Sequence, residues 1–496
     1  MTRIHVPGGE IEGFVEHGNY CFLGVPYAAP CTPERRFEAP QAVEPWDGVR
    51  DATRHGSVCP QTPTYGPVGK GATSNLTQGE DFLTLNVRTP DLTGKAPVLV
   101  WVHGGGYAVG SANEPNVQSG AFASSGIVEV TINYRLGALG FLHLEGKPDN
   151  RGLLDLLAGL KWVQANIARF GGDPARVSFG GRSAGGFAIA AVMAMPEAKD
   201  LFARAIPQSG ASTAIASMED AQKLTNRMCA ALGTDEAGIL TAPIDALLIA
   251  QRDLCNESYE HHDFDRDGSA AMLGVPFVPV IDGASLLEHP DTAAAAGRTT
   301  QVPMMIGTTT SEYLTHATIL PADLTFEAVA ALMHERVRHL GKTGADMVAT
   351  YRAALPDHSP YGIWRAIGGD LVFHNPTTQF ARLHSRHQPV YKYLFGRIEA
   401  DELGAAHGGE VGHVWYRDGM DITGLRDFQA IDSLEAAREV HAVWRDFIAG
   451  VDDKSAWPEY SEQNPVVLRL GDGPARVEGD LFGQRLDLWG PDQFAG

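Results

Sequence analysis

Short, densely apolar runs recur through the first half of the chain. APVLVWVHGGG occupies residues 96–106, GIVEVTINYRLG occupies 126–137, and RVSF occupies 176–179. Runs of this length, rich in valine and isoleucine and stopped by glycine, are typical of strands buried on both faces of a sheet. Between the second and third runs, residues 153–172 place apolar side chains at helical spacing and end in glycines, which predicts a helix.

This alternation of strands and helices predicts an α/β fold. We expect a large, mainly parallel, twisted sheet with helices on both faces. The pattern becomes mostly helical around 218–255 and again around 325–355. Because no stretch rich in proline, glycine or serine separates independent units, we expect a single domain over residues 1–496 with helical insertions in those two ranges.

The charge balance is acidic. The 496 residues include 60 acidic and 39 basic side chains, which gives a formal net charge of −21. Nucleic acid is not expected as a partner, because a phosphate backbone attracts proteins dense in lysine and arginine. The acidic charge indicates a well-solvated surface, and the alternative is that it draws cationic substrates toward the protein.

The sequence shows no secretory signal and no membrane-spanning run. The apolar run at 186–195 has ten residues, whereas a bilayer needs about twenty. Five cysteines are scattered without a Cys-x-x-Cys pair, which is typical of reduced thiols. We therefore expect a cytoplasmic protein with no membrane partner, and the oligomeric state stays open.

One serine lies among glycines after the third apolar run. In RVSFGGRSAGGFAIAAVM (176–193), Ser183 has Gly181 and Gly185 two positions away on either side, and an alanine-rich helical run follows. On a very tight strand-to-helix turn, side chains at those two positions would collide. The spacing fits a Gly-x-Ser-x-Gly nucleophile elbow, with an ordinary glycine-rich loop as the alternative.

A nucleophilic serine needs partners. An imidazole must take its proton, a carboxylate must orient that imidazole, and hydrogen-bond donors must hold the developing oxyanion. WVHGGGYAVG (101–110) offers candidate donors, because three glycines follow a buried strand. A phosphate-binding loop is disfavoured there, since no Lys-Ser/Thr follows and Val109 replaces the last glycine of a Gly-x-Gly-x-x-Gly pattern.

Longer segments carry a resemblance that covers nearly the whole chain. In order, they are FLGVPYAAP, RRFEAPQAVEPWDGVRDAT, EDFLTLNV, PVLVWVHGGGYAVGS, INYRLGALGFL, NIARFGGDPARVSFGGRSAGG, IPQSGAS, FVPVIDG, IGTTTSEYL, LGAAHGGEVGHVW and WPEY. The set resembles the type-B carboxylesterases, the family of the cholinesterases within the α/β-hydrolase superfamily. The resemblance implies an α/β-hydrolase fold with helical insertions over the active site.

The same resemblance implies a Ser/Glu/His catalytic triad in that chain order. Ser183 matches the nucleophile, Glu312 in GTTTSEYL matches the acid, and His407 in GAAHGGE matches the general base. Nothing else in the sequence distinguishes His407 among the 18 histidines.

Further site residues follow from the resemblance. The backbone N–H groups of Gly105, Gly106 and Ala184 are expected to form the oxyanion hole. Ser209 in PQSG matches a second hydroxyl that hydrogen-bonds the triad acid, and a helix cap is the alternative role for it. The family implies no metal and no organic cofactor.

A calcium-loop match is weak. DFDRDG (263–268) begins like a calcium loop, but Gly274 occupies the twelfth position, where a bidentate glutamate is required. We expect a solvated acidic loop there.

Two positions depart from the family pattern. Phe82 stands where many relatives have the cysteine that pairs with the equivalent of Cys59, which agrees with a reducing compartment.

Arg182 stands where relatives commonly have glutamate before the catalytic serine. We hypothesise that Arg182 forms an ion pair with Glu410 beneath the site, and the alternative is that Arg182 points elsewhere. A cation at this position would disfavour a quaternary ammonium substrate.

The sequence thus predicts a serine carboxylesterase that hydrolyses small-molecule carboxylic esters through an acyl-serine. A carbamate or amide hydrolase with the same triad is the first alternative, because the elbow does not encode the leaving group. A non-catalytic, cholinesterase-like binding protein is the second, and retention of Ser183, Glu312 and His407 argues against it. The natural acyl and alcohol groups do not follow from the sequence.

Overall fold

A computed structural model describes residues 2–62, 76–313, 320, 323–398, 404–423, 425, 429–451 and 456–490. Thirteen strands lie within these ranges. They are β1 (Thr2–Val6), β2 (Gly9–Glu16), β3 (Asn19–Pro26), β4 (Val49–Asp51), β5 (Thr84–Thr89), β6 (Ala96–Val102), β7 (Val128–Ile132), β8 (Gly172–Arg182), β9 (Arg204–Gln208), β10 (Met304–Thr309), β11 (Val390–Phe395), β12 (Val466–Leu470) and β13 (Arg476–Gly479).

The described part of the chain also forms sixteen α-helices. They are α1 (Ala121–Ser124), α2 (Gly137–Phe141), α3 (Arg151–Asn166), α4 (Ala184–Met193), α5 (Met218–Leu232), α6 (Glu236–Thr241), α7 (Ile244–Glu260), α8 (Phe264–Asp267), α9 (Pro290–Ala295), α10 (Phe326–Val337), α11 (Gly344–Ala354), α12 (Pro360–Gly369), α13 (Asn375–Ser385), α14 (Val411–Val414), α15 (Leu434–Ala449) and α16 (Leu481–Gln484). A π-helical turn, Asp370–His374, joins α12 to α13.

The strands form one sheet in the order β1-β2-β3-β5-β7-β6-β8-β9-β10-β11-β12-β13, with β4 added beside β2. From β7 to β12 every neighbouring pair is parallel. The pairs from β1 to β7 and the pair β12–β13 are antiparallel. The predicted mainly parallel sheet is therefore confirmed for its centre, and the antiparallel margins are an addition that the apolar runs did not indicate.

Strand β6 shows why helices cover both faces of the sheet. Successive side chains of a strand point to opposite faces. Val98, Val100 and Val102 belong to the large core that includes α3 and α4, whereas Leu99 and Trp101 belong to a second core that includes α15. Because both faces are buried, the strand is apolar at every position from Val98 to Val102 and not at alternate ones.

The predicted elements are present, with shifted boundaries. The predicted helix at 153–172 is α3 followed by a 3-10 segment, Ile167–Phe170. The strand predicted from RVSF is longer, because β8 runs from Gly172 to Arg182. Helices α5 to α7 occupy the first predicted insertion, and α10 and α11 occupy the second. The single-domain organisation over 1–496 stays a prediction, and that range includes positions outside those described.

Among the described residues, no helix combines the length and the apolar character that crossing a bilayer requires.

Candidate active site

The carboxyl ends of five neighbouring parallel strands lie at one edge of the sheet. In sheet order these strands are β6, β8, β9, β10 and β11. Their register pairs Val102 with Gly181 and Thr309 with Phe395, so the strands end nearly level with one another. The predicted site residues all lie at these ends or in the segments that follow. This is the edge where open α/β sheets bind their ligands.

Ser183 occupies a strained turn between β8 and α4. Its backbone has φ 58° and ψ −123°, which is a sparsely populated conformation for a residue with a side chain. The surroundings hold it there, because its N–H donates to the carbonyl of Gln208 at 2.9 Å and its carbonyl accepts from the N–H of Phe187 at 2.9 Å. The residue is only partly buried, so the turn leaves the serine accessible to a substrate.

The glycines around Ser183 are required by close backbone approach. A Cβ added to Gly181 would lie 2.7 Å from the carbonyl oxygen of Val102, and one added to Gly185 would lie 2.3 Å from that same oxygen. The collision predicted from the spacing is therefore with the end of β6. A side chain at either position would push this turn away from the sheet.

The glycine loop after β6 lies against the serine. A Cβ built at Gly104 would be 3.0 Å from the Cβ of Ser183. Gly105 has φ 116° and Gly106 has φ 59°, both in the region that favours glycine. Within the described residues, nothing accepts a hydrogen bond from the N–H of Gly105, Gly106 or Ala184. Three unpaired donors thus flank the serine.

Two side chains that the sequence did not single out hold this loop. The ring of His103 stacks on Tyr134 at 4.7 Å, and its Nδ1 lies 2.8 Å from the carbonyl of Gly104. Burial lowers the pKa of His103 to about 4, so the imidazole is neutral. At the far end, Gln61 accepts from the N–H of Gly110 at 2.8 Å and donates to its carbonyl at 3.0 Å.

The resemblance implies that the N–H of Gly105 is an oxyanion donor, and on that hypothesis replacing Gly105 with alanine is expected to lower kcat by about 10²- to 10³-fold, the cost of losing one such donor. The new Cβ would lie 2.0 Å from the carbonyl oxygen of Val109, so the loop must shift. Gly126→Ala is the matched control, because Gly126 also has positive φ but has no heavy atom within 4 Å of an added Cβ. Steady-state kinetics that leave kcat of Gly105→Ala within about twofold of the control would contradict this role.

Glu312 and His407 are in direct contact. Glu312 is 1% exposed and follows β10. Its Oε2 lies 2.5 Å from Nδ1 of His407, while its Oε1 accepts from Ser209 Oγ at 2.6 Å and from the N–H of Thr309 at 2.7 Å. A carboxylate on one imidazole nitrogen favours the tautomer with the proton on Nδ1, which leaves Nε2 of His407 with a free lone pair.

The segments that carry Glu312 and His407 are joined by backbone contacts. Ser311 pairs with Ala406 in an isolated parallel bridge, and its N–H donates to the carbonyl of Ala405 at 3.0 Å. On the other side of His407, the ring of Phe373 lies 4.7 Å away. The imidazole therefore has little freedom to rotate away from Glu312.

The turn after His407 also approaches the serine turn. A Cβ built at Gly408 would lie 2.5 Å from a guanidinium nitrogen of Arg182, the residue before Ser183. Within the described residues, no hydrogen bond joins Ser183 Oγ to His407. In unliganded hydrolases this contact is commonly long, and it tightens when substrate binds.

The hypothesised ion pair between Arg182 and Glu410 is wrong. No oxygen of Glu410 lies within the 4.0 Å of Arg182 that an ion pair requires. Instead, Oε1 of Glu410 accepts from the amide of Gln208 at 3.0 Å. Glu410 is completely buried, and burial, followed by repulsion from Glu312, raises its pKa. Pairing would require Arg182 to leave solvent, which costs several kcal/mol.

Gln208 is a connecting residue that sequence reasoning missed. Its carbonyl accepts from Ser183, its amide N–H₂ donates to Glu410, and its amide oxygen accepts from Trp444 at 2.8 Å. The signal available was its place in PQSG, directly before Ser209. No spacing rule links it to positions more than 200 residues later.

The predictions for the calcium-like loop and for the cysteines have outcomes in the structure. The DFDRDG segment is α8 with its flanking residues, and Asp267 is buried and paired with Arg227 and Arg266, so the solvated loop is wrong at that position. Among the described residues, no group of three or more histidines, cysteines or acids could hold a metal. Cys59 and the other four cysteines are all free.

A cavity of about 470 Å³ lies beside the Glu312 segment. Thr310, Ser311 and Glu312 line one side of it, and Arg485 and Leu488 lie among the residues of the other. Ser183 and His407 are not part of its lining. The cavity is therefore a neighbour of the candidate site and not the space above the serine.

Known proteins share this architecture. A solved structure titled PNB esterase superposes with a TM-score of 0.83 at 30% identity and covers 99% of each chain. The carboxylesterase of Geobacillus stearothermophilus, solved at pH 6.2, gives a TM-score of 0.82 at 30% identity over 99% of this chain and 100% of that one. The fold is therefore that of the α/β-hydrolases.

The sequence comparisons identify the family. The model described as "Carboxylesterase family" matches residues 1–489. Para-nitrobenzyl esterase of Bacillus subtilis (strain 168) is 36% identical over 399 residues, which cover 78% of this chain and 77% of that protein. Phenmedipham hydrolase of Pseudarthrobacter oxydans is 33% identical over 503 residues, 96% of each chain. The chain belongs to the carboxylesterase family, and it is a carboxylic ester hydrolase.

Proposed function

We propose that this protein hydrolyses small-molecule carboxylic esters through a covalent acyl-serine, with Ser183, His407 and Glu312 as its catalytic triad. Nε2 of His407 takes the proton of Ser183 Oγ as that oxygen attacks the ester carbonyl carbon. The ester C–O bond then breaks, and the leaving alcohol receives the proton from His407. Water, deprotonated by His407, then attacks the acyl carbonyl carbon; the bond from that carbon to Ser183 Oγ breaks, the acid leaves, and His407 returns the proton to Ser183 Oγ.

The oxyanion of each tetrahedral intermediate is held by the N–H groups of Gly105, Gly106 and Ala184. This assignment is supported by two observations: no group among the described residues accepts a hydrogen bond from these three donors, and Gly104 lies in close contact with Ser183. Because the donors are fixed by the fold before substrate arrives, they need no reorganisation during the reaction.

One observation carries the proposal. Ser209, Glu312 and His407 form a continuous chain of hydrogen bonds, at 2.6 and 2.5 Å, and Gly408, directly after His407, lies against Arg182, directly before Ser183. Ser209 donates to the acid as the resemblance implied, and it does not cap a helix. A buried carboxylate on an imidazole beside a strained serine is the arrangement that acyl transfer requires.

A substrate panel tests the reaction type. We expect turnover of p-nitrophenyl acetate, butyrate and octanoate, with kcat/KM at least about tenfold higher than for p-nitroanilides of the same acyl groups and for p-nitrophenyl carbamates. The dependence on acyl length measures the acyl pocket. Faster turnover of the carbamates or anilides would replace the ester proposal with the corresponding hydrolase.

A further inference from the structure

Arg182 places a positive charge directly beside Ser183. It is the last residue of β8 and directly precedes Ser183. Its guanidinium lies between two site segments, because a Cβ at Gly408 would be 2.5 Å from one terminal nitrogen and a Cβ at Gly104 would be 3.4 Å from the other. The group therefore lies between the glycine loop and the turn that begins at His407.

Within the described residues, this cation forms no hydrogen bond and no close ion pair; its charge acts on Glu410 only at longer range, where it partly offsets the rise in pKa that burial of that carboxyl causes. No carboxylate lies within 4.0 Å of it, and no side-chain or backbone oxygen accepts from its N–H groups. The nearest buried acid, Glu410, is bonded to Gln208 instead. Arg182 is only partly buried, and its unpaired side-chain nitrogens are not fully buried. Its donors therefore face space that water or a substrate can enter.

A partly buried guanidinium with no carboxylate hydrogen-bonded to it keeps donors available for an anionic ligand. Arginine presents planar, paired donors that match a carboxylate, and charge-assisted bonds of this kind are stronger than neutral ones. The protein as a whole has a formal net charge of −21, which repels anions. An anionic substrate therefore gains specifically from a local cation beside the nucleophile.

We propose that Arg182 is a specificity-determining residue that binds an anionic group, such as a carboxylate, located a few bonds from the scissile ester of the substrate. This inference rests on the proposed esterase function of Ser183. Because Arg182 is adjacent to the nucleophile, only a group close to the reacting carbonyl can reach it. The preferred substrates are thus half-esters of dicarboxylic acids or acyl esters of hydroxy acids.

The test uses two ester pairs that differ in charge and are similar in shape. On the acyl side, monoethyl succinate is compared with ethyl levulinate. On the alcohol side, 3-acetoxybenzoate is compared with 3-acetylphenyl acetate. Hydrolysis is monitored by acid release near neutral pH. The measured quantity is the ratio of kcat/KM for the anionic ester to kcat/KM for the neutral one.

Arg182→Gln is expected to lower this ratio by about tenfold or more in at least one pair, with the loss mainly in KM. Arg182→Lys keeps the charge but loses the paired donors, so its ratio is expected to lie between that of Arg182→Gln and that of the unmodified protein. Arg169→Gln removes the same charge from an exposed arginine on the 3-10 segment after α3, and it is expected to leave the ratio unchanged. Added salt is expected to weaken the preference of the unmodified protein.

An unchanged ratio in both pairs for Arg182→Gln would overturn the inference, as would an equal fall for Arg169→Gln. If the unmodified protein hydrolyses the neutral esters through Ser183 and the ratio does not respond, only the role of Arg182 fails. If the unmodified protein hydrolyses none of the four esters nor any p-nitrophenyl ester, the proposed function fails with it.

Discussion

Ser183→Ala will abolish hydrolysis of p-nitrophenyl butyrate, lowering kcat by about 10⁴-fold or more. Without the hydroxyl no acyl-enzyme forms, and the residual rate reflects only the oxyanion donors and binding. The variant should fold, because the backbone hydrogen bonds of Ser183 do not involve its side chain. The measurement is the initial rate at saturating substrate with equal amounts of folded protein.

Ser178→Ala is the matched control for this change. Ser178 lies on β8, five residues before Ser183, and its hydroxyl is buried without a hydrogen-bond partner among the described residues. Its removal should leave kcat within about twofold of the unmodified protein. Comparable activity in the two variants would show that another group performs the attack.

Glu312→Gln will lower kcat by about 10³- to 10⁴-fold while KM changes little. Both oxygens of Glu312 accept hydrogen bonds, from His407 on one side and from Ser209 and Thr309 on the other. A glutamine must direct its NH₂ group toward one of these donors. The imidazole then loses its orientation, its fixed tautomer, or the charge that stabilises it when protonated.

Two companion variants define what Glu312 does. Glu312→Asp keeps the charge but shortens the side chain, so its kcat should lie between that of the glutamine variant and that of the unmodified protein. Glu410→Gln removes a buried carboxylate that does not bond His407, and its loss should be far smaller. A Glu410→Gln variant as inactive as Glu312→Gln would contradict the assignment of Glu312 as the residue that orients His407.

The centre of the fold was predictable because its signals are local. A strand buried on both faces must be apolar at consecutive positions, as in β6, and a tight turn must exclude side chains, as at Gly181 and Gly185. The antiparallel strands β1 and β2 gave weaker signals, because their residues vary between buried and exposed. In β2, for example, Ile11 is buried whereas Glu10 and Val15 are exposed.

The site was predictable only where backbone geometry constrains the sequence. Ser183 and the loop at Gly105 carry glycine patterns with a direct steric cause. Glu312 and His407 lie on longer segments, where no steric rule marks the functional residue, and their identification depended on the family resemblance.

The failed ion pair shows a further limit of sequence reasoning. The family resemblance places Arg182, directly before Ser183, where relatives carry a glutamate, and that pattern suggested a contact with Glu410, three residues after His407. In the structure Glu410 accepts a hydrogen bond from the amide of Gln208 instead. Pairing with Arg182 would also require burial of a guanidinium, which costs free energy. Which group binds a buried carboxylate depends on where the candidate groups lie in three dimensions. The sequences of two separate segments do not give that information.

The most direct test of the central claim is covalent labelling with an organophosphonate fluoride, read by peptide mass spectrometry alongside residual activity. Such a reagent phosphonylates an activated serine and resists hydrolysis. The mechanism predicts one adduct per chain, located on Ser183, with activity falling in proportion to labelling. Esterase activity that persists when Ser183 is fully labelled, or that disappears with the adduct on another residue, would contradict Ser183 as the nucleophile.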